Sequence, residues 1–215
     1  MQSRCREENL KDRAPYGGNI TVPDEFWEDL AQKDIAILCE AAEAEYDAPS
    51  GVVMRFLHEE IRVDVEQKCL HYRVDDHWEL WEHPYLELMA LAYLLQVTHS
   101  SSNGQMVGVM DLKDAHFFQG PHTIETAPLV KRYGTDPKGF KAAAKQLGGT
   151  TLDMADVALC LKPFPKIPVY YVLWAGDEEF PAKLTVLFDR SVELHLSADA
   201  IWGLVGLVTD ALLNA

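Results

Sequence analysis

Three short segments in which apolar and polar residues alternate lie close together, and this pattern constrains the fold more than any other feature of the sequence. The segments are 52–57, 60–65 and 70–74, and in the middle one Ile61 and Val63 alternate with charged residues. An alternation of period two is typical of a β-strand with one face on the core and the other in solvent. The chain is therefore predicted to contain a sheet with one solvated face.

Helical patterns flank these strands, and a second group of strands follows later. Helices are predicted at about 21–30, 34–42, 84–97, 123–133, 136–147 and 197–213, and further strands at 107–110, 157–161, 169–174 and 184–188. The Thr21-Val-Pro-Asp24 box and Asp34 are expected to cap the first two helices. Strands and helices do not alternate strictly, so a doubly wound sheet is not expected. We predict an α+β fold: an N-terminal arm over 1–20, then a single domain over 21–215 with an antiparallel or mixed sheet covered by helices and a C-terminal helix.

The charge balance restricts the partners of the chain. Its 34 acidic and 19 basic residues give a formal net charge of −15, and the pI is about 4.8. Such a surface repels phosphates, which argues against nucleic acid and anionic membranes as partners. The N-terminal 18 residues contain no apolar run typical of a signal peptide, and the apolar stretch 201–213 is too short to span a bilayer. We expect a cytoplasmic protein.

The cysteines and the glycine-rich motifs exclude several common kinds of site. Cys5, Cys39, Cys69 and Cys160 are widely spaced and form no C-x-x-C pair, so an intrinsic iron–sulfur cluster is not expected and the thiols are predicted to be reduced. The chain has no G-x-G-x-x-G, Walker or G-x-S-x-G motif. Neither a known phosphate-binding loop nor a serine hydrolase is therefore indicated.

One segment near the end of the chain resembles a known family. A strand ending in Trp174 is followed by Ala-Gly-Asp-Glu-Glu-Phe-Pro181 and then by Leu187-Phe-Asp189, which resembles the carboxy-terminal signature of the DUF3786 family. Tyr133-Gly-Thr-Asp-Pro137 and Leu147-Gly-Gly149 are similar to its middle segment. The resemblance extends over about residues 25–213.

The resemblance also implies a setting. Family members occur mostly in anaerobes, sometimes beside or fused to iron–sulfur or corrinoid-linked proteins. It thus implies a non-catalytic accessory protein of anaerobic redox or one-carbon metabolism, with a small-molecule or cofactor ligand of the tetrapyrrole or corrinoid class and an iron–sulfur or corrinoid protein as partner. Two alternatives remain open, a metal-dependent enzyme and an acidic protein–protein adaptor.

The acidic loop is the first candidate site. Asp177, Glu178 and Glu179 lie between two predicted strands, next to Trp174. They could chelate a hard cation, or repel one another enough to raise one carboxyl pKa for acid–base catalysis. The ordinary interpretation is a solvated hairpin tip that Phe180 and the following proline pack down.

An aromatic loop and a histidine near the C-terminus complete the candidate ligand site. In the segment 116–122, Phe117 and Phe118 could line a pocket together with Trp174, and His116 and His122 could bind a ligand. The ordinary interpretation is a packed connector. His195 could pair with Asp189 as an imidazole and its orienting carboxylate.

Two further clusters have weaker support. His71, His77 and His83, interleaved with Trp78 and Trp81, could hold a metal or a haem-like ring, although exposed histidines at a strand-to-helix corner are the ordinary interpretation. A basic stripe at helical spacing could meet an anionic ligand or simply be a solvated face. It consists of Lys138, Lys141 and Lys145.

Overall fold

The computed structural model describes residues 20–49 and 51–215. Over these residues it contains six α-helices and ten strands, and the strands form two five-stranded antiparallel sheets. The predicted α+β class, with an antiparallel sheet and a C-terminal helix, is confirmed. Cys5 and all but the last residue of the predicted arm lie outside the described residues, and the domain boundaries stay a prediction.

The described chain forms two compact units. The first comprises the residues up to 55 together with 59–99, and the second comprises 56–58 together with 100–215.

The first unit is a five-stranded meander with three helices. Its helices are α1 (Asp24–Ala31), α2 (Ile35–Ala42) and α3 (Pro84–Gln96), and its strands are β1 (Glu45–Asp47), β2 (Gly51–Phe56), β3 (Glu59–Asp64), β4 (Cys69–Val74) and β5 (His77–Leu80). The strands are neighbours in chain order, as the close spacing of the alternating segments predicts. The Asp34 carboxylate accepts from the backbone N–H groups of Ala36 and Ile37 and caps α2, which confirms that prediction.

A buried hydrogen bond and a bridging arginine hold this unit. The Tyr93 hydroxyl donates to the carbonyl of Ala42 at 2.8 Å. The Arg62 guanidinium donates to Asp47 and to Asp64, each at 2.6 Å, and so joins β1 to β3.

The first helix departs from its prediction, because α1 follows Pro23 with no side-chain cap and Thr21 does not cap it.

The second unit is a sheet of order β6-β10-β9-β8-β7 with three helices. Its strands are β6 (Met106–Val107), β7 (Thr150–Leu152), β8 (Val157–Phe164), β9 (Ile167–Trp174) and β10 (Lys183–Asp189), and its helices are α4 (Ala127–Tyr133), α5 (Pro137–Gln146) and α6 (Ala198–Asn214). Seven of the eight residues of β9 are buried. Its continuous apolar run therefore marks the central strand of this sheet, as predicted.

The segment between β6 and α4 differs from its prediction. Only Met106 and Val107 form a strand, and three short 3₁₀ turns follow at Val109–Asp111, Ala115–Phe117 and Gly120–His122. Helix α4 begins at Ala127, with a proline in its first turn, rather than near 123. Proline favours the first turn of a helix because its missing N–H has no partner there.

Candidate functional site

The loop 175–182 joins β9 to β10 and contacts the junction of α4 and α5. The backbone N–H of Gly176 donates to the carbonyl of Gly134 at 2.9 Å. A Cβ on Gly134 would lie 2.7 Å from the Cβ of Ala182, and one on Gly176 would lie 2.8 Å from the Ala182 nitrogen. Only glycine permits this approach, and it brings together the two sequence blocks that carry the family resemblance.

Within this loop, Asp177 closes a turn. Its Oδ1 accepts from the backbone N–H groups of Glu179 and Phe180 at 2.8 and 2.7 Å, and its own N–H donates to the Phe180 carbonyl at 3.0 Å. The hydrogen bonds from Phe180 and Glu179 lower the pKa of Asp177. The carboxylate is therefore ionised and serves the loop itself.

The three carboxylates of the loop do not converge on one point. Over residues 20–49 and 51–215, no group of three or more His, Cys, Asp and Glu side chains is placed to hold a metal ion. Glu178 and Glu179 are exposed. The cation site considered for Asp177, Glu178 and Glu179 thus has no donor set in the described part of the chain.

The loop and the α4–α5 junction border an open depression of about 480 Å³. Its lining combines apolar side chains, one ammonium group and two carboxylates: Val130, Lys131, Gly134, Thr135, Gly176, Asp177, Glu178, Phe180, Pro181 and Ala182. Phe180 is 67 % exposed. The expectation that Phe180 packs the loop down is wrong, because the loop is held by backbone hydrogen bonds and its aromatic ring is left in solvent.

Trp174 lies at the same end of the sheet. It pairs with Lys183 at the start of β10, and the Lys183 ammonium lies 5.7 Å from the centre of the indole ring. The next residue, Ala175, donates its N–H to the Asp156 carboxylate at 2.8 Å. Trp174 is 43 % exposed and forms part of the surface around the loop.

The other aromatic candidates form a packed cluster on α6. The Phe117 ring stacks on the His122 imidazole with centroids 4.3 Å apart, and His122 meets Trp202 edge-on at 5.1 Å. Phe118 is buried and contacts Phe117, whereas His116 lies exposed at the surface. The interpretation of this segment as a packed connector describes its position.

Two contacts with α6 lie near its opposite ends. Trp202, near the start of the helix, donates to the Thr123 carbonyl, whereas the Tyr133 hydroxyl donates to the carbonyl of Leu212 near its end. Ten helical residues separate these contacts, a distance of about 15 Å. The depression adjoins Gly134, next to Tyr133, and its lining includes neither Trp174 nor a residue of the 116–122 segment.

Asp189 and His195 are both fully buried. The Asp189 carboxylate accepts from the Ser102 hydroxyl at 2.6 Å and from the N–H groups of Asn103, Gly104 and Ser191 at 3.2, 2.7 and 2.9 Å. Burial alone would raise its pKa, but these hydrogen bonds lower it to about 2. Asp189 therefore fastens the segment 102–104 to the end of β10.

His195 is held as a neutral imidazole. Burial lowers its pKa to about 4, and the nearby charge of Lys166 acts in the same direction, while Asp189 opposes both. The Asp189–His195 pair is thus in the core, away from solvent, and Asp189 is occupied by backbone and hydroxyl donors.

The three histidines of the predicted cluster, His71, His77 and His83, have three different surroundings. His77 contacts the Glu79 carboxylate at 3.1 Å, and His83 Nδ1 accepts from the Leu86 N–H and caps α3. The Cys69 sulfur is 3.9 Å from both ring nitrogens of His71. Equal distances put the sulfur out of line with either nitrogen lone pair, so the contact is a weak hydrogen bond at most.

The sequence pattern does not mark every residue that lines the depression. Lys131 and Thr135 line it but were not singled out, although Thr135 lies within the 133–137 block that resembles the family's middle segment. The resemblance of that block to the family is the sequence feature that could have pointed to Thr135. The hydrogen bond between Ser102 and Asp189 cannot be predicted from the neighbouring sequence, because 87 positions separate the two residues.

Fold and site define an α+β protein with two antiparallel sheets and an open depression built from two recognisable blocks. The chain matches the family model described as Domain of unknown function (DUF3786) over residues 34–211, and it belongs to this family. No curated protein and no solved structure matches it. Among the helices of the described residues, none has the length and apolar character needed to cross a membrane.

Proposed function

We propose that this protein is a non-catalytic binding protein that holds a small amphipathic organic molecule in the depression beside Phe180. One observation carries this proposal: the two blocks that resemble the family signature meet at Gly134 and Gly176 and border the depression between them. A loop fixed by backbone bonds keeps its outward side chains available for a ligand.

The lining defines the chemistry of that ligand. A volume of about 480 Å³ is within the range of small-molecule sites. The Phe180 ring and the neighbouring Pro181 and Val130 offer an apolar wall, while Lys131 and Glu178 offer opposite charges. A flat apolar body that carries at least one charged group fits this combination.

The positions and hydrogen bonds of the titratable groups support a binding role without catalysis. Asp177 is used by its own loop, and the buried Asp189 and His195 lie outside the lining of the depression. The family setting implies a tetrapyrrole or corrinoid as the ligand. It also implies an iron–sulfur or corrinoid protein of anaerobic metabolism as the partner, and both are part of this proposal.

The experiment is a ligand screen on protein purified without oxygen. Its absorption spectrum is recorded first, and then haem, cobinamide, folate and a library of flat charged fragments are added while the amide NMR signals of 131–135 and 176–182 are followed. We expect at least one compound to shift these signals, and Phe180→Ala to weaken its binding about tenfold. Met110→Ala, a change at a 64 % exposed side chain outside the depression, is the matched control.

A screen in which no compound shifts signals at either segment would overturn the proposal. The alternative of a metal-dependent enzyme can be tested in the same NMR samples. Paramagnetic Mn²⁺ at low concentration would broaden the signals of Asp177, Glu178 and Glu179 selectively if these carboxylates gather around a cation.

A further inference from the structure

Three large apolar side chains reach solvent around the loop that carries Phe180. Phe180 is 67 %, Trp174 43 % and Met154 39 % exposed. Trp174 pairs with Lys183, and Asp156 bonds to Ala175, so the loops before β8 and after β9 lie at one end of the second unit's sheet. Exposed apolar side chains gathered in this way mark an interaction surface.

Opposite charges flank this surface. The segment 127–149, which contains α4 and α5, has five basic residues and one acidic residue, a net charge of +4 in a chain of −15. All five basic side chains are exposed, namely Lys131, Arg132, Lys138, Lys141 and Lys145. The loop 175–182 has three acidic residues and no basic one. Among these basic residues, Lys131 lines the depression together with Asp177 and Glu178 of the acidic loop.

We propose that this surface binds the same surface of a second copy of the chain, in a two-fold symmetric dimer. A two-fold contact requires a patch that is complementary to itself. Here each copy offers a protruding ring and a depression, and an acidic loop beside a basic helix pair. Phe180 of one copy enters the depression of the other, and Glu178 of one copy faces Lys131 of the other.

The depression has the size for this contact. Its volume of about 480 Å³ is comparable with sites that hold whole small molecules, so a benzyl side chain fits. Burial of aromatic anchors near the centre, with complementary charges around them, is the usual arrangement of a specific interface.

The dimer occupies the site assigned above to a small ligand, so the two exclude each other. Ligand binding is then expected to release monomers. This consequence rests on the proposed function, whereas the dimer itself needs no ligand.

Sedimentation velocity over protein concentrations from about 1 µM to about 500 µM tests the dimer directly. We expect a monomer–dimer equilibrium in this range. Phe180→Asp is expected to raise the dimer Kd at least tenfold, because it puts a charge where the ring should be buried. Lys131→Glu and Glu178→Lys are each expected to raise it several-fold, and the double variant that carries both is expected to restore it to within about threefold of the wild type.

The variants keep the fold, which makes the readout specific. Phe180 takes part in the loop through its backbone N–H and carbonyl, and an aspartate preserves both. Leu194→Asp, at a 51 % exposed apolar side chain just beyond the other end of β10, is the control and is expected to leave the Kd unchanged. Urea unfolding midpoints verify that each variant is folded.

Three outcomes would overturn the dimer: a wild type that stays monomeric at every concentration, a Phe180→Asp variant that dimerises as well as the wild type, or a charge-swapped pair that is no better than its single variants. None of these depends on the ligand screen. A monomeric wild type whose depression still binds a compound would overturn the dimer and leave the proposed function intact.

Discussion

Asp177 and Asp189 use the same chemistry in two different settings. Each carboxylate lies at or just beyond the end of a strand and accepts hydrogen bonds from backbone N–H groups. Asp177 is exposed, and its partners are two and three residues away. Asp189 is fully buried and binds a segment 85 to 87 positions away. One aspartate therefore shapes a local turn, and the other closes a tertiary contact.

The difference in burial decides how much each contact contributes to stability. When an exposed acceptor is removed, water replaces it and little free energy is lost. When a buried acceptor is removed, its donors are left unsatisfied and the full desolvation penalty appears. The two aspartates thus contribute very differently to stability, although their local hydrogen-bond patterns are alike.

The largest effect is expected from Asp189→Ala. It removes a fully buried, charged acceptor from the Ser102 hydroxyl and from three backbone N–H groups, one of them on the buried Ser191, and the free energy of unfolding should fall by about 3–5 kcal/mol. Asp177→Ala should lower it by less than about 1 kcal/mol. Urea denaturation of the two variants measures both values. Equal losses would show that burial is not what separates the two aspartates.

A second prediction concerns pH and the neighbour of Asp189. The folded chain holds His195 neutral down to about pH 4, whereas the unfolded chain protonates it near pH 6.5. The unfolded state therefore binds more protons between these values, and stability falls as the pH is lowered from about 7 to 4, by about 3 kcal/mol from this group. Asp189, with a folded pKa of about 2, stabilises above its unfolded pKa and loses that contribution only at still lower pH.

Unfolding free energies at several pH values between 7 and 4, for the wild type and for His195→Gln, isolate the histidine. The variant cannot take up a proton at this position, so its stability should fall less steeply over the same interval. Parallel pH profiles for the two proteins would contradict the assignment of His195 as a buried neutral group.

The sequence could predict what depends on local pattern. Alternation revealed the strands of the meander, and the unbroken apolar run of β9 revealed a central strand, because burial imposes those periods on the chain. Asp34 could be identified as a cap because its partners are two and three residues away. The acidic loop could likewise be located between two strands from its turn residues.

The sequence could not predict what depends on distant neighbours. Nothing near Ser102 indicates that it meets Asp189. Which end of α6 an aromatic segment reaches is a matter of tertiary packing.

Asp177 contributes little to the stability of the exposed loop, so another contact must hold it. The close approach of Gly176 to Ala182 is the contact to test. In Gly176→Ala, the new Cβ would lie 2.8 Å from the Ala182 nitrogen at the other end of the same loop, so the two ends of the loop must move apart. We expect a loss of about 1–2 kcal/mol after the small gain from a stiffer unfolded chain. Gly108→Ala is the matched control, because its Cβ would meet only the Asp111 carboxylate at an ordinary 3.6 Å. If urea unfolding gives the same midpoint for both variants, the close approach of Gly176 to Ala182 does not hold the loop, and Asp177 would have to carry more of its stability than its exposure indicates.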